Sequence, residues 1–173
     1  MKKLLMFGVM ILMLLTVGCS KNYIKGTDIV DNEDSRAIFT IFAHYVKGLR
    51  DQEPDIFTRF ISENYYDNNG TDDPSDDVDY EKMMEILNSD QFRALKKIDL
   101  VYYIKDLMLD RRKGTAKLLY FYEVRFRRES KLQPEDDVNY FVKSDGMTNH
   151  RVSDTNQMVF ALEEDGWKII SGL

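Results

Sequence analysis

Few side chains in this sequence are typical of metal sites or of nucleophilic catalysis. The chain contains two histidines, His44 and His150, and one cysteine, Cys19. Zinc sites group cysteine and histidine ligands at short spacings. These residues are far apart, so we predict no metal site and interpret both histidines as surface side chains. No glycine-rich phosphate-binding loop follows a predicted strand, and no serine lies in a nucleophile elbow. The sequence therefore indicates neither ATP chemistry nor serine hydrolysis, and it implies no cofactor.

Carboxylates are concentrated between Asp67 and Glu81, where oxygen ligands for calcium are available. A helix–loop–helix calcium loop places glycine at its sixth position. Gly70 is the fourth residue counted from Asp67, so the spacing departs from that pattern. We therefore interpret the segment as a solvated acidic loop.

Cys19 follows a segment that is typical of an export signal. Lys2 and Lys3 precede an uncharged stretch from Leu4 to Gly18, which is too short to span a bilayer comfortably. The sequence Leu15-Thr16-Val17-Gly18-Cys19-Ser20 resembles the lipobox of bacterial lipoproteins, although lipoboxes favour leucine three residues before the cysteine. In that family the cysteine thiol is acylated and the chain is cut immediately before it.

The lipobox resemblance implies an organisation in three parts. Residues 1–18 are a cleaved signal peptide, residues 19–33 are the lipidated cysteine and a tether, and residues 34–173 form one domain. Acyl chains such as palmitate on Cys19 then anchor the protein to the bilayer of the cell envelope. Ser20 favours the outer membrane if the host is Gram-negative. The alternative is an ordinary secretory signal that leaves Cys19 as a stray thiol.

The charge of the chain excludes some partners. Residues 19–173 keep 22 of the 24 basic residues and all 30 acidic ones, which gives a formal charge of −8. A negative chain is not expected to use nucleic acid or an anionic lipid surface as its main partner. Stability has to come from packing, because one cysteine cannot form an internal disulfide, and 43% apolar residues suffice for one domain core.

The first part of the domain has helical periodicity. A helix is predicted to begin near Asp34 or Ser35, either of which can cap it. A second begins at Pro54, whose missing N–H is tolerated in a first turn, and a third runs from about Tyr80 to Lys97. The first two carry apolar residues at three- and four-residue spacing: Ile38, Ile41, Phe42, Tyr45 and Leu49, then Ile56, Phe57, Phe60 and Ile61.

From Ile98 onwards the periodicity changes to two, which predicts strands. A first strand reaches Leu109, and a long second one has Ala116, Leu118, Tyr120, Tyr122, Val124 and Phe126 on one face. A polar excursion from Glu129 to Arg151 is predicted to contain a short strand from Val138 to Lys143. A hairpin then pairs Thr155 to Glu163 with Trp167 to Leu173 across Asp165-Gly166. Helices followed by an antiparallel meander indicate an α+β fold.

This order of elements is similar to that of the nuclear transport factor 2-like superfamily. The resemblance rests on the linked helices between Tyr45 and Tyr66 and on the closing sequence Asp165-Gly166-Trp167-Lys168-Ile169-Ile170. It implies a cone-shaped domain, in which N-terminal helices pack on a curved antiparallel sheet with an apolar pocket at the open end. It also implies frequent dimerisation through the outer face of the sheet. A cystatin-like sheet around one helix is the alternative fold.

The superfamily includes ketosteroid isomerase and polyketide cyclases, and Ala43-His44-Tyr45 resembles part of the isomerase's first helix. That resemblance implies that Tyr45 donates a hydrogen bond to an enolate oxygen and that Asp67 lies close to the position of the catalytic base. Such chemistry needs a base and a neutral donor inside an apolar cavity. No second acid is assigned, since Asp106 has no match in the family. Tyr45 also belongs to the core stripe, so we favour packing over catalysis as the reason for this residue.

Three functional classes follow from these features. The first is a binding protein without catalysis, which takes an apolar small molecule between helices and sheet or a protein partner on the outer face, including a second copy. The residues expected at the pocket or interface are Tyr45, Tyr102, Leu119, Phe121 and Tyr122. The alternatives are an isomerase or cyclase that uses Tyr45 and an aspartate, and a structural subunit of an envelope assembly.

Cys19→Ser is expected to release the protein from membranes, because the substitution removes the thiol that would carry the acyl chain. Membrane fractionation checks this, with Ser20→Ala as the control that should stay attached. Unchanged membrane retention of Cys19→Ser would contradict the lipid anchor.

Overall fold

The computed structural model describes residues 22–129 and 147–173. Helices near the N-terminal end pack on a four-stranded antiparallel sheet of order β3-β4-β5-β6, and β1 and β2 form a separate two-stranded ribbon. This arrangement confirms the predicted α+β architecture. The elements are α1 (Glu33–Asp51), α2 (Asp55–Thr58), β1 (Tyr66–Asp67), β2 (Val78–Asp79), α3 (Tyr80–Asn88), α4 (Asp90–Arg93), β3 (Lys96–Asp110), β4 (Thr115–Glu129), β5 (Met147–Glu163) and β6 (Gly166–Ser171).

Two parts of the sequence interpretation lie outside the described residues. They are the signal segment with Cys19 and the short strand predicted from Val138 to Lys143. Within the described ranges, no helix is long and apolar enough to cross a membrane.

The core lies between α1 and the inner face of the sheet. The apolar stripe predicted for α1 faces inward, with Ile38, Ile41 and Phe42 buried and Tyr45 and Leu49 half-buried at its edge. Full burial of one such side chain stabilises the fold by about 1.5–3 kcal/mol. Completely buried partners come from α2 and three strands: Phe57, Leu118, Met158, Phe160 and Ile169.

Helix α1 begins two to three residues earlier than predicted, because Asn32 is its N-cap. The Asn32 side chain accepts a hydrogen bond from the Ser35 N–H at 3.1 Å, and the Ser35 hydroxyl accepts one from the Asn32 N–H at 3.0 Å. Asp34 does not cap the helix. Its carboxylate instead accepts hydrogen bonds from Arg111 at 2.7 Å and from the Trp167 indole at 3.2 Å.

The described part of the predicted tether is folded onto the domain. Tyr23 pairs with Val30 in an antiparallel bridge, and the Ile29 side chain is buried. The Thr27 hydroxyl donates to the Ile24 carbonyl and closes the turn between them. The folded unit therefore begins before α1.

The second and third helices are shorter than predicted. Helix α2 has four residues, with Pro54 at its N-cap, and Phe57 and Ile61 are buried as the pattern indicated. The predicted third helix is divided into α3 and α4 at Ser89, which has extended backbone angles (φ −68°, ψ 153°). The Ser89 hydroxyl accepts a hydrogen bond from the Phe92 N–H, so this residue ends one helix and caps the next.

Strand β3 contains a β-bulge that the sequence alternation did not reveal. Ile104 pairs with Tyr120, whereas Asp106 pairs with the adjacent Leu119, so Lys105 is the extra residue. A bulge exchanges the residues that face each side of a strand. Leu100 and Ile104 therefore face inward before the bulge, and Leu107 and Leu109 face inward after it.

Strand β4 has the predicted inner face, since Ala116, Leu118 and Tyr120 are buried. Strand β5 begins earlier than predicted: residues 147–151 pair with residues 125–129 of β4 and shorten the excursion to residues 130–146. The β5–β6 turn also differs by one residue. It is formed by Glu164 and Asp165, and Gly166 follows with a φ of 121°, a conformation that other residues rarely adopt.

Candidate functional site

A cavity of about 290 Å³ lies between the C-terminal half of α1 and the inner face of the sheet. Apolar and aromatic side chains form most of its wall, and the polar side-chain atoms come from three tyrosines and one asparagine. The lining residues are Phe42, Tyr45, Val46, Leu49, Phe92, Leu95, Ile98, Leu100, Tyr120, Tyr122, Val124, Phe126, Asn156 and Leu173. Such a mainly apolar cavity with a few polar groups is typical of small-molecule sites.

Aromatic contacts hold the tyrosine rings of this cavity in place. Phe42 lies edge-on to Tyr120, with 4.8 Å between ring centroids, and edge-on to Tyr102 at 5.1 Å. Tyr45 packs edge-on against Phe57 at 5.3 Å. Each edge-on pair stabilises the fold by about 0.5–1.5 kcal/mol beyond the contribution from burying the ring surfaces. The hydroxyl groups are thus carried on a rigid aromatic wall.

Asn156 orients the polar end of the cavity. Its Nδ2 donates to the Tyr120 hydroxyl at 3.3 Å and to the Gly172 carbonyl at 3.2 Å, and its Oδ1 accepts from the Gln157 N–H at 2.7 Å. Both N–H groups and the oxygen of the amide are therefore engaged within the protein. No pattern in the sequence indicated this residue, since a single asparagine within a strand has no distinctive spacing.

The Tyr45 and Tyr120 hydroxyls interact with each other. Burial raises the pKa of Tyr120 to about 12, although hydrogen bonds from Asn156 and Tyr45 oppose the increase. Burial, together with the Tyr120 neighbour, raises the pKa of Tyr45 well above its usual range. Both groups stay neutral near pH 7. The neutral hydroxyls of the lining tyrosines therefore offer O–H donors to a ligand.

The described lining contains no Asp, Glu, Lys, Arg or His. A charged ligand group that entered the cavity would lose its hydration without gaining a counter-ion, which costs several kcal/mol. The cavity therefore favours a neutral molecule.

Asp67, the residue expected near a catalytic base, is not part of this lining. Its Oδ2 accepts hydrogen bonds from the Gly172 N–H at 2.6 Å and from the Ser171 hydroxyl at 3.2 Å. Its Oδ1 accepts from the Asn69 N–H at 2.9 Å. The carboxylate thus holds the end of β6. Asp106 is exposed beside the β3 bulge. The structure therefore brings Tyr45 to the cavity without bringing Asp67 or Asp106 to it.

The two histidines lie on different elements. His44, on α1, has its Nδ1 2.7 Å from the Thr40 carbonyl, and the His150 ring stacks on Phe126 in β4. In the acidic loop, the Asp76 carboxylate accepts hydrogen bonds from the Thr71 hydroxyl. Among the described residues, no cluster of three or more metal-ligating side chains is present.

The other predicted residues lie on both faces of the sheet. Tyr122 lines the cavity, and Tyr102 lies on the same inner face beside Phe42. Leu119 is half-buried on the outer face and Phe121 is 38% exposed there. Phe92 and Leu95, which also line the cavity, belong to the segment around α4 that the sequence assigned to a continuous helix.

Comparisons with known proteins show the fold of this chain. No family model matches it, and no curated protein sequence matches it. Among solved structures, a protein from Kribbella flavida has a TM-score of 0.60 and 15% identity, covering 80% of this chain and 87% of that one. A ketosteroid isomerase-like protein from Erwinia carotovora atroseptica has a TM-score of 0.58 and 14% identity, covering 82% and 95%. The chain has a nuclear transport factor 2-like fold.

A further similar structure connects the two folds predicted from the sequence. It is a nuclear transport factor 2-like protein with a cystatin-like fold from Novosphingobium aromaticivorans, with a TM-score of 0.52, 13% identity and coverage of 80% of this chain and 79% of that one. The two names thus describe one architecture. At such identities the likeness concerns the fold alone, and function has to be argued from the site.

The buried Tyr120 hydroxyl predicts an alkaline loss of stability. Its pKa is raised from 10.0 to about 12 in the folded protein, so its contribution is complete below pH 10 and is lost as the pH rises towards 12. One such group lowers the free energy of unfolding by up to about 1.4 kcal/mol per pH unit in that window. Tyr120→Phe should reduce the slope of the unfolding free energy against pH, measured by urea unfolding. The outer-face control Tyr103→Phe should keep the slope of the parent. Equal slopes for Tyr120→Phe and the parent would contradict the burial argument.

Proposed function

We propose that this domain binds a neutral, mainly apolar small molecule in the cavity between α1 and the sheet. The observation that carries the proposal is the composition of the cavity wall, which is aromatic and aliphatic except at the Tyr45–Tyr120–Asn156 end. A ligand would place its apolar body against the wall and a hydrogen-bond acceptor, such as a carbonyl oxygen, at a tyrosine O–H. The volume of about 290 Å³ suits a compact molecule.

Binding without chemistry accounts for the described site better than catalysis does. An isomerase or cyclase would need a base near the substrate, and Asp67 is engaged at the end of β6 instead. The enzyme alternative is supported by Tyr45, whose hydroxyl is neutral and faces the cavity. It is also supported by the likeness in fold to a ketosteroid isomerase-like protein.

The location of the domain is also a proposal. We infer from the lipobox resemblance that acylated Cys19 holds the protein at the cell envelope, in the outer membrane if the host is Gram-negative. The folded turn begins at Tyr23, four residues after Cys19. Four residues span at most about 14 Å, so this anchor would keep the domain close to the bilayer.

A substitution that fills the cavity is expected to abolish binding. Val124→Trp adds an indole to the lining, whereas Val101→Trp places the same group on the outer face, where Val101 is 60% exposed. We expect Val124→Trp to weaken binding of the neutral ketone dye prodan by about tenfold or more, since a tenfold change needs only 1.4 kcal/mol. Val101→Trp should bind as the parent does. Fluorescence titration measures both affinities.

Further measurements separate the outcomes of this experiment. The anionic dye anilinonaphthalene sulfonate should bind much more weakly than prodan, because its sulfonate finds no counter-ion. Native mass spectrometry of the gently purified protein should show a retained small molecule.

Tyr45→Phe should leave a binding protein nearly intact, because Tyr120 keeps its own proton, but it should remove turnover from an enzyme. Equal prodan affinity of Val124→Trp and the parent would contradict the cavity proposal.

The outer face of the sheet supports a second candidate function, association with a protein partner or with a second copy. Tyr103 is 64% exposed there and pairs across the strands with Phe121, and Val101 and Leu119 are their neighbours. The ammonium group of Lys105 lies 6.0 Å from the Phe121 ring. Exposed apolar side chains grouped in this way are typical of interaction surfaces. A structural role in an envelope assembly would use the same face.

Phe121→Asp is expected to abolish association without unfolding the domain, because a carboxylate would have to lose its hydration in the apolar interface. Analytical ultracentrifugation gives the oligomeric state, and circular dichroism confirms folding. Ile86→Asp, at an exposed apolar residue of α3, is the matched control. If Phe121→Asp associates as strongly as the parent, the outer face is not the interface.

A further inference from the structure

One side of the cavity is closed by the short segment around α4. Phe92 and Leu95 line the cavity, yet no residue of α4 is buried. The segment therefore covers the apolar space with two half-buried side chains instead of being enclosed in the core itself. Few buried apolar contacts make a segment easy to open locally.

Gln52 joins this segment to the end of α1. Its Nε2 donates to the Leu95 carbonyl at 2.6 Å and to the Phe92 carbonyl at 3.1 Å, and it lies 3.4 Å from the Arg93 carbonyl. These carbonyls lie in and just beyond the last turn of α4, and the Phe92 carbonyl also accepts a hydrogen bond from the Leu95 N–H at 3.3 Å. One side-chain amide thus satisfies the end of α4 and fixes it over the cavity.

The backbone is strained at the points where this segment would move. Among the described residues, the non-glycine residues with positive φ are Gln52 (57°), Asn69 (51°) and Lys97 (51°). Each such residue costs of the order of 1 kcal/mol. Two of these three residues belong to this region: Gln52 contacts the segment, and Lys97 lies at the C-terminal end of the segment. At the N-terminal end, Ser89 interrupts the helix with extended angles.

A second cavity provides room for movement. It has a volume of about 330 Å³, lies beside the start of α2 and the end of α3, and is lined by Gln52, Pro54, Leu87 and Phe92 among others. Phe92 is thus part of the wall of both cavities. A displacement of this ring away from the ligand cavity would move it into existing space.

We propose that residues 89–97 form a lid over the ligand cavity and that the Gln52 side chain is the latch that keeps it closed. Ser89 and Lys97 are the hinges, and Phe92 is the side chain whose movement opens the cavity. The inference rests on the proposed ligand-binding function and adds the route by which the ligand enters and leaves. Gln52 is a positioning residue, because it acts on the lid and does not line the cavity.

Gln52→Asn tests the latch. Asparagine adopts positive φ readily, so the end of α1 is preserved, but its side chain is one methylene too short to reach the lid carbonyls. Loss of about 1 kcal/mol of hydrogen bonding should open the lid about fivefold more often. Hydrogen exchange of the Ala94 and Leu95 amides should accelerate by that factor, while the amides of α1 and β4 keep their rates. This measurement needs no ligand.

Stopped-flow binding of prodan then tests gating. We expect the association and dissociation rates of Gln52→Asn to rise together by about fivefold, with the equilibrium affinity changed less than about twofold. A purely structural role would change affinity and stability instead of both rates equally. Asn68→Ala is the matched control, because it removes another side-chain amide hydrogen bond, to the Thr71 carbonyl, on the acidic loop. It should leave every rate unchanged.

Three results would overturn parts of the proposal separately. Unchanged exchange of the Ala94 and Leu95 amides would contradict the latch. Faster amide exchange with unchanged prodan rates would show that the lid does not gate the cavity. Failure of the parent protein and of Gln52→Asn to bind prodan would contradict the binding function, and gating with it, whereas the exchange result would still decide the latch.

Discussion

Helix α1 packs against the inner face of the sheet along only part of the length of the strands. Its 19 residues extend about 28 Å, whereas the 15 residues of β4 extend about 50 Å when straight. Phe42 and Ile38 fill the covered part together with Leu118 and Tyr120. The inner face continues as Tyr122, Val124 and Phe126, which line the cavity together with the C-terminal half of α1 and the short segment around α4.

The polar end of the cavity is continuous with the contacts that hold the end of β6. Asn156 contacts the Gly172 carbonyl, Asp67 accepts from the Gly172 N–H, and the Tyr65 hydroxyl accepts from the Leu173 N–H. A Cβ at position 172 would lie 2.1 Å from the Gln157 carbonyl oxygen, so only glycine permits this close approach, with a φ of 91°. A carboxylate that the fold family suggested for catalysis thus contributes to the structure that orients the polar end of the cavity.

In this protein the fold does not determine the chemistry of the site. The curved sheet and its helices are shared with proteins of 13–15% identity, a level at which side-chain chemistry is not transferred. The specific properties of this chain come from a neutral wall, the tyrosine O–H groups on it and a cover held by one amide. These properties support the proposed uptake of an apolar molecule, because they provide desolvation and directional contacts without a nearby base.

The sequence alone determined the features that depend on local periodicity. The inward stripe of α1 and the inner face of β4 were predictable, because alternating apolar residues must face the core in a helix or strand of known period. Only the tertiary structure decided features that depend on distant partners. Asp34 binds Arg111 and Trp167 and leaves capping to Asn32, and Lys105 shifts the register of β3 against β4. The role of Asn156 also depends on the tertiary structure, because its partners, the Tyr120 hydroxyl and the Gly172 carbonyl, are distant in the sequence.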